Sequence, residues 1–198
     1  AIIATINFFP LKKKLNNNLF ILYLIFLAFF IGTRNELGGD WGTYLFNFYS
    51  NGIEYNFLKF NIRSDWGFET LSFIFYKLNL SIIILNIFIS LINFFCLYLF
   101  IRKLNQRWFF LALAFPYFLV VVNMGYVRQS LAISFMLLAI LASNNKNTKS
   151  LFIFIFLGII FHKSSIIFSL MVLLANRDIL KILYKNIILF ILVVITGF

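Results

Sequence analysis

From Ile82 to Ile101 the chain runs through twenty residues without one charged side chain. A helix of that length spans about 30 Å, the thickness of a bilayer's hydrocarbon core. Comparable apolar stretches recur at 19–32, 108–123 and 126–142, then at 151–175 and from 187 onward. In lipid, every backbone polar group must be satisfied within its own segment, so repeated runs of this kind fold as helices. The expectation is an all-α, polytopic transmembrane helical bundle, a single membrane domain over 1–198. Composition agrees. Hydrophobic residues make up 63% of the chain and charged residues 12%, against about 45–50% and about 25% in soluble domains.

The formal charge of +11 invites a nucleic-acid reading. That reading fails, because the basic residues are dispersed between apolar spans instead of lining one face. Their distribution reports topology. The gaps at 10–18, 102–107, 143–150 and 176–186 hold eleven of the seventeen Lys and Arg residues and one acid, Asp178. The positive-inside rule makes these gaps cytoplasmic. Five of the six acids, Glu36, Asp40, Glu54, Asp65 and Glu69, then face outward, with Arg34, Lys59, Arg63, Lys77, Arg128 and Lys163. The alternation requires 151–175 to cross twice or re-enter, with His162 at the outer turn. A single span with His162 at mid-depth is the competing reading, and it breaks the rule.

Residues 33–81 form the one long stretch between spans, rich in aromatics such as Trp41, Tyr44, Phe48, Trp66 and Phe68. It reads as an outer loop anchored at the membrane interface. Residues 66–80 are expected to form a short interfacial helix with Asp65 as its N-cap. The lone Cys96 lies inside an apolar run, so no internal disulfide is possible. The apolar stretch Ala1–Phe9 precedes Lys12-Lys13-Lys14, the reverse of a signal peptide's order. It reads as the tail of an earlier helix, and 187–198 reads as the beginning of a further span, so the chain is expected to be truncated at both ends.

Three runs place ionisable groups at the ends of apolar spans, where they are expensive and usually functional. Gly125-Tyr126-Val127-Arg128-Gln129-Ser130 opens a helix with an arginine. Helix N-termini favour phosphates, and arginine adds bidentate phosphate contacts; the alternative is an arginine that snorkels to headgroups. Gly38-Gly39-Asp40-Trp41-Gly42-Thr43-Tyr44 offers a carboxylate suited to general-base work or sugar hydroxyls, with Trp41 and Tyr44 able to stack on a sugar ring. It also reads as a capped helix with interfacial aromatics. Phe161-His162-Lys163-Ser164-Ser165 contains the only histidine. A lone histidine makes no metal site; proton transfer or pyrophosphate binding suits it better, beside the plainer role of a polar tie between helices. There is no Gly-x-x-x-x-Gly-Lys-Ser/Thr loop for ATP, no Gly-x-Ser-x-Gly turn and no tight acidic metal cluster.

In this order the three runs resemble the EpsG family of bacterial capsule and exopolysaccharide polymerases, which are Wzy-type enzymes. Asp40 and Tyr44 match the family's Asp-Tyr spacing, with Arg34 ahead of it. Gly67-Phe68-Glu69 is similar to its Gly-Phe-Glu element, Arg128-Gln129 to its Arg-Gln pair, and Phe161, His162 and Ser164 to its Phe-His-x-Ser pattern. The resemblance implies a membrane glycosyltransferase of GT-C-like fold in the bacterial inner membrane, its site facing outward. It would polymerise polyprenyl-pyrophosphate-linked oligosaccharide repeat units into capsule, exopolysaccharide or O-antigen. Asp40, Glu69 and His162 are the implied catalytic groups. Arg34, Arg128, Gln129, Trp41, Tyr44 and Lys163 are the implied substrate and pyrophosphate contacts. No cofactor and no metal are implied, since arginines would neutralise the pyrophosphate. A chain-length regulator and a flippase would be partners, and nucleic acid would not. A lipid-linked oligosaccharide flippase, with a similar cavity and no chemistry, is the competing function. Ionisable residues clustered toward one face favour the enzyme.

Overall fold

A computed structural model describes residues 13–54, 65–176 and 181, and every regular element among them is helical. In chain order these are α1 (Lys13–Gly32), α2 (Trp41–Glu54), α3 (Trp66–Lys77), α4 (Ile82–Ile101), α5 (Arg107–Gly125), α6 (Val127–Asn144), α7 (Thr148–Phe161) and α8 (Ser165–Ala175). Four of them, α1, α4, α5 and α6, are long and apolar enough to cross a membrane. The chain is a multi-pass helical membrane protein. The apolar stretches 1–9 and 187–198 lie outside the described residues, as do Lys59 and Arg63.

The spans alternate in direction, so the bundle has two ends. One carries Lys14, Arg102, Arg107 and Lys146 and is called here the basic end. The other gathers the segment between α1 and α4, the α5–α6 junction and His162, and is called the loop end. Ser81 starts α4 by accepting the Ile84 N–H on its hydroxyl at 3.4 Å, a weak form of the usual cap. Being apolar all round, α4 takes its inward faces from its neighbours. Phe94, Leu97 and Ile101 meet Phe20, Leu24, Leu27 and Ile31 of α1 and Trp108 and Leu111 of α5. Leu85 and Ile89 turn instead to Val127 and Leu131 of α6. Leu22, Phe26 and Phe30, one stripe of α1, face outward, as a lipid-facing surface requires.

Pro116 interrupts α5. Without its N–H the α-helical ladder cannot continue, and Phe115–Val122 winds instead as a wider π-helix before one α-helical turn at Asn123–Gly125. The Asn123 amide donates back to the Phe118 carbonyl at 2.7 Å, filling a backbone acceptor in that loosened stretch.

The region 151–175 is a hairpin. After α7 the backbone of His162 is extended, with φ −157° and ψ 115°. α8 then runs back along α6, and the Asn176 amide reaches the Ser143 hydroxyl at 2.7 Å. The chain therefore returns to the end from which α7 departed. His162 sits at the tip of this hairpin.

The expected aromatic loop at 33–81 contains two amphipathic helices. Tyr44 and Phe48 of α2 and Phe68 of α3 are buried against α4 and α6, while Phe46 and Tyr49 are exposed. Tyr44 meets Phe68 at 5.5 Å between ring centroids, and Phe48 meets Tyr76 at 5.8 Å. α3 is within three residues of the expected 66–80. α2, for which the sequence left a loop and a helix capped by Asp40 both open, is held helical by the burial of its aromatic face, since most of a short helix's stability comes from such packing.

Candidate functional site

The site forms where α3, α6 and the α7–α8 turn meet, and its centre is Asp65. As expected, Asp65 begins α3, its carbonyl accepting the Phe68 and Glu69 N–H groups. Its side chain does not cap the helix. The carboxylate turns across the bundle instead. Oδ2 takes Arg128 Nη1 at 3.0 Å and His162 Nδ1 at 3.3 Å, and Oδ1 accepts the backbone N–H of Lys163 at 3.2 Å. One carboxylate thus joins three elements distant in sequence. Burial alone would raise its pKa. The hydrogen bonds from His162 and the Lys163 N–H, with the charge of Arg128, outweigh that and hold it below the usual carboxylate range. Asp65 is therefore ionised and only accepts.

Backbone packing fixes where this carboxylate stands. At Gly67, two residues on, an added Cβ would lie 3.1 Å from the Ile160 carbonyl oxygen and 3.2 Å from its carbon. Glycine lets the first turn of α3 rest directly on the last turn of α7. The Gly67-Phe68-Glu69 element thus seats the helix that carries Asp65, with Phe68 in the core. The Glu69 carboxylate is half-exposed and joins no ion pair among the described residues.

Arg128 is the second residue of α6. Its guanidinium carbon lies 5.3 Å from the ring centroid of Tyr44, which is buried beneath it, a cation–π contact. Burial raises the Tyr44 phenol's pKa despite the arginine beside it. Asp40 starts α2, accepting the Tyr44 N–H on its carbonyl at 2.9 Å, and its charge is felt by both Tyr44 and Arg128. It joins no ion pair among the described residues. Trp41 packs on the core around Tyr44 and Phe68 and stays partly exposed.

Arg34 takes a different position from Arg128. It is 5% exposed, and its Nη1 donates to the Asn123 carbonyl. Burial lowers its pKa to about 10. Around it lies a buried polar network that sequence reading missed. Asn93 of α4 donates to the Asn123 side-chain oxygen at 3.0 Å and to the Ser130 hydroxyl at 2.9 Å. Asn86, Ser90 and Asn93, spaced four and three apart within an apolar span, were its signal, because that spacing puts them on one helix face. Gly38 completes the brace. Its φ is +97°, and an added Cβ would lie 2.8 Å from the Gly125 Cα, so only glycine lets this loop lie on the α5–α6 junction.

Beside the Asp65 cluster is a cavity of about 290 Å³ between α6 and α8. Gln129, His162, Ser164 and Ser165 give it polar wall, and Ala132, Ile133, Met136 and Phe168 line the rest. Of the residues named from sequence, Arg128, His162 and the backbone N–H of Lys163 meet Asp65, Tyr44 lies under Arg128, and Gln129 lines the cavity next to them. Asp40 and Trp41 sit at the start of the adjoining helix α2 and Glu69 on α3, and Arg34 is buried in the scaffold. Asp65 itself was taken only for a cap. Among the described residues no three His, Cys, Asp or Glu side chains gather as a metal-ligand set.

Comparison with protein families matches residues 17–198 to the EpsG family. No curated protein and no solved structure matches the chain.

Proposed function

The chain belongs to the EpsG family, a membrane protein of polysaccharide-polymerase type, and from that premise we propose that it is a glycosyltransferase that joins lipid-linked oligosaccharide repeat units. A growing chain on polyprenyl pyrophosphate is transferred to the next lipid-linked unit, and the carrier pyrophosphate leaves. The chemistry makes two demands. The leaving phosphates must be held and their charge stabilised, and an acceptor hydroxyl must lose its proton. Arg128 meets the first demand as a preorganised cation in a water-poor setting. The second falls to one of His162, Asp40 and Glu69. The positive-inside rule assigns the basic end to the cytoplasm, so the Asp65 end works on the outer face of the bacterial inner membrane.

The observation that carries this reading is the meeting of Arg128 and His162 on one carboxylate, 3.0 Å and 3.3 Å from Asp65. A phosphate-binding cation and a titratable imidazole are thereby held side by side. The test replaces Arg128 with Ala in the full-length protein, in a strain lacking the native copy, followed by labelling of surface glycan. Single repeat units on the lipid carrier at the outer face, with no long chains, are expected. Units trapped inside the cell would replace this reading with transport across the membrane, and unchanged long chains would remove Arg128 from the site.

A further inference from the structure

Asp65 is the most connected acid among the described residues, and the two demands above leave it without a role. We propose that Asp65 and His162 form a carboxylate–imidazole pair in which Asp65 is the positioning residue and His162 Nε2 is the proton acceptor for a sugar hydroxyl held in the α6–α8 cavity. The identity of the sugar ligand rests on the polymerase reading; the pairing rests on geometry alone.

The argument starts from hydrogen-bond inventory. An ionised carboxylate only accepts. Asp65 Oδ2 pairs with Arg128 at 3.0 Å and Oδ1 accepts the Lys163 N–H at 3.2 Å, contacts that keep the carboxylate an acceptor, so the contact at 3.3 Å places a proton on His162 Nδ1. In neutral imidazole one ring nitrogen donates and the other accepts. Fixing Nδ1–H leaves Nε2 as the basic atom. His162 lines the cavity and Asp65 does not, so a ring tied to Asp65 through Nδ1 keeps Nε2 as its untied nitrogen beside that cavity. The backbone holds the ring as well, with the Lys163 N–H on the second oxygen of the same carboxylate and the Ser165 hydroxyl donating to the His162 carbonyl at 2.6 Å. The imidazole is thus fixed in tautomer, position and rotation.

The cavity suits a sugar. Gln129 of α6 and Ser164 and Ser165 at the start of α8 supply hydrogen-bonding groups, and Met136 and Phe168 supply apolar surface. The site therefore takes a hydroxyl-bearing pyranose on the acceptor lipid. In the step, the acceptor hydroxyl's proton passes to Nε2 as its oxygen bonds to the anomeric carbon of the donor chain. The anomeric C–O bond to pyrophosphate breaks, and the pyrophosphate leaves with that electron pair beside Arg128. Of the three candidate bases, His162 alone has a partner that fixes its orientation. Asp40 and Glu69 have none among the described residues.

The decisive measurement is the tautomer. Full-length, untagged protein labelled with 15N-histidine is placed in lipid nanodiscs and titrated until the ring is neutral, and the His162 signals are assigned by their loss in His162→Gln. Wild type is expected to carry its proton on Nδ1, against the Nε2–H form that free imidazole side chains prefer. Asp65→Asn is expected to abolish that preference, Asp65→Glu to retain it in part, and Glu36→Gln, on the exposed loop, to leave it intact. An Nε2–H ring in wild type overturns the proposal, as does an unchanged Nδ1–H ring in Asp65→Asn. Because wild type alone decides the first point, a variant that fails to fold does not remove the test. The tautomer does not depend on activity, so failure of the polymerase reading is separable from failure of the pair. In membranes that supply their own lipid-linked units, Asp65→Asn should lower chain extension by about 10²–10⁴-fold, with partial rescue by Asp65→Glu; full activity would overturn the catalytic half.

Discussion

The two ends of the bundle use charge in opposite ways. At the basic end, Arg102, Lys103, Arg107, Lys146 and Lys149 meet no carboxylate among the described residues. Arg102 lies over Tyr98 at 5.9 Å and Arg107 over Phe20 at 5.4 Å, each resting its cation on an aromatic face. At the loop end a single acid gathers an arginine, a histidine and a backbone N–H. Orientation in a membrane depends on how many cations lie on a side and tolerates their exact placement. Binding and chemistry depend on where one group stands relative to another. On the proposed function the same residue type, arginine, serves by number at one end and by geometry at the other.

The sharpest way to break this contrast is to exchange arginine for lysine at both ends. Lysine keeps the charge and loses the planar fork. Arg128→Lys should reduce polymer formation by about 10–100-fold in the full-length protein, less than the full loss of an electrostatic contact. Arg102→Lys should leave it unchanged, because the positive-inside effect counts charges. Polymer length on a carbohydrate gel, at matched expression, checks both. Normal long chains from Arg128→Lys would mean that Arg128 only contributes charge, as its counterparts at the basic end do.

A second exchange tests the backbone beneath the site. Gly67→Ala would press a methyl group on the Ile160 carbonyl at 3.1 Å. Backbone cannot rotate aside as a side chain can, so the α3–α7 contact beneath Asp65 must open by a few tenths of an ångström. Overpacking of this kind costs about 1–3 kcal/mol. Gly42→Ala, with nothing within 4 Å of the new Cβ, is the matched control and should be silent. Thermal unfolding in detergent reads the first effect, and equal melting temperatures for the two variants would show that α3 is free to move.

How much of this was legible in the sequence divides along the same line. The spans, their alternation and the turn at His162 follow from apolar runs and the count of cations, both of which act over many residues. The site's pairing was not legible. Asp65 was read as a cap because the signal used, an acid before an apolar helix, is local. Its partners lie 63 and 97 positions away, and nothing local encodes them. α2 was legible only as one of two readings, a loop or a helix capped by Asp40, for a related reason: Gly42, Thr43, Asn47 and Gly52 weaken its helical propensity, and its stability comes from burying Tyr44 and Phe48 on other elements. The π-helical stretch of α5 had Pro116 as a visible mark, but the mark announces a break in the ladder without saying how the chain repairs it.

Acid should weaken the loop end selectively. The Asp65 pKa is depressed in the folded protein relative to about 3.9 when unfolded. Its stabilisation is therefore fully present above about pH 4 and is lost as pH falls through the lower folded value. The melting temperature of wild type should fall over that window. Asp65→Asn should lack that component. A wild-type loss beginning near neutral pH would assign the sensitivity to another group.

The smallest expected effect lies at the basic end, at one of its polar ties between side chains. Trp108 Nε1 donates to the Asn16 side-chain oxygen at 2.6 Å, joining the start of α5 to the start of α1. The same indole packs edge-on to Phe20 at 5.1 Å and is 3% exposed. Trp108→Phe keeps an aromatic ring against Phe20 and removes the donor. It leaves Asn16 Oδ1 unsatisfied, but Asn16 sits near the water-facing end of α1, where solvent can replace the lost partner. The cost should then stay within about 0.5–1.5 kcal/mol, the net value of one hydrogen bond, with polymer length unchanged. Thermal unfolding and the carbohydrate gel together decide the outcome. If Trp108→Phe shortened the polymer at normal stability, the basic end would be acting on the site through geometry, and the division of labour between the two ends would have to be given up.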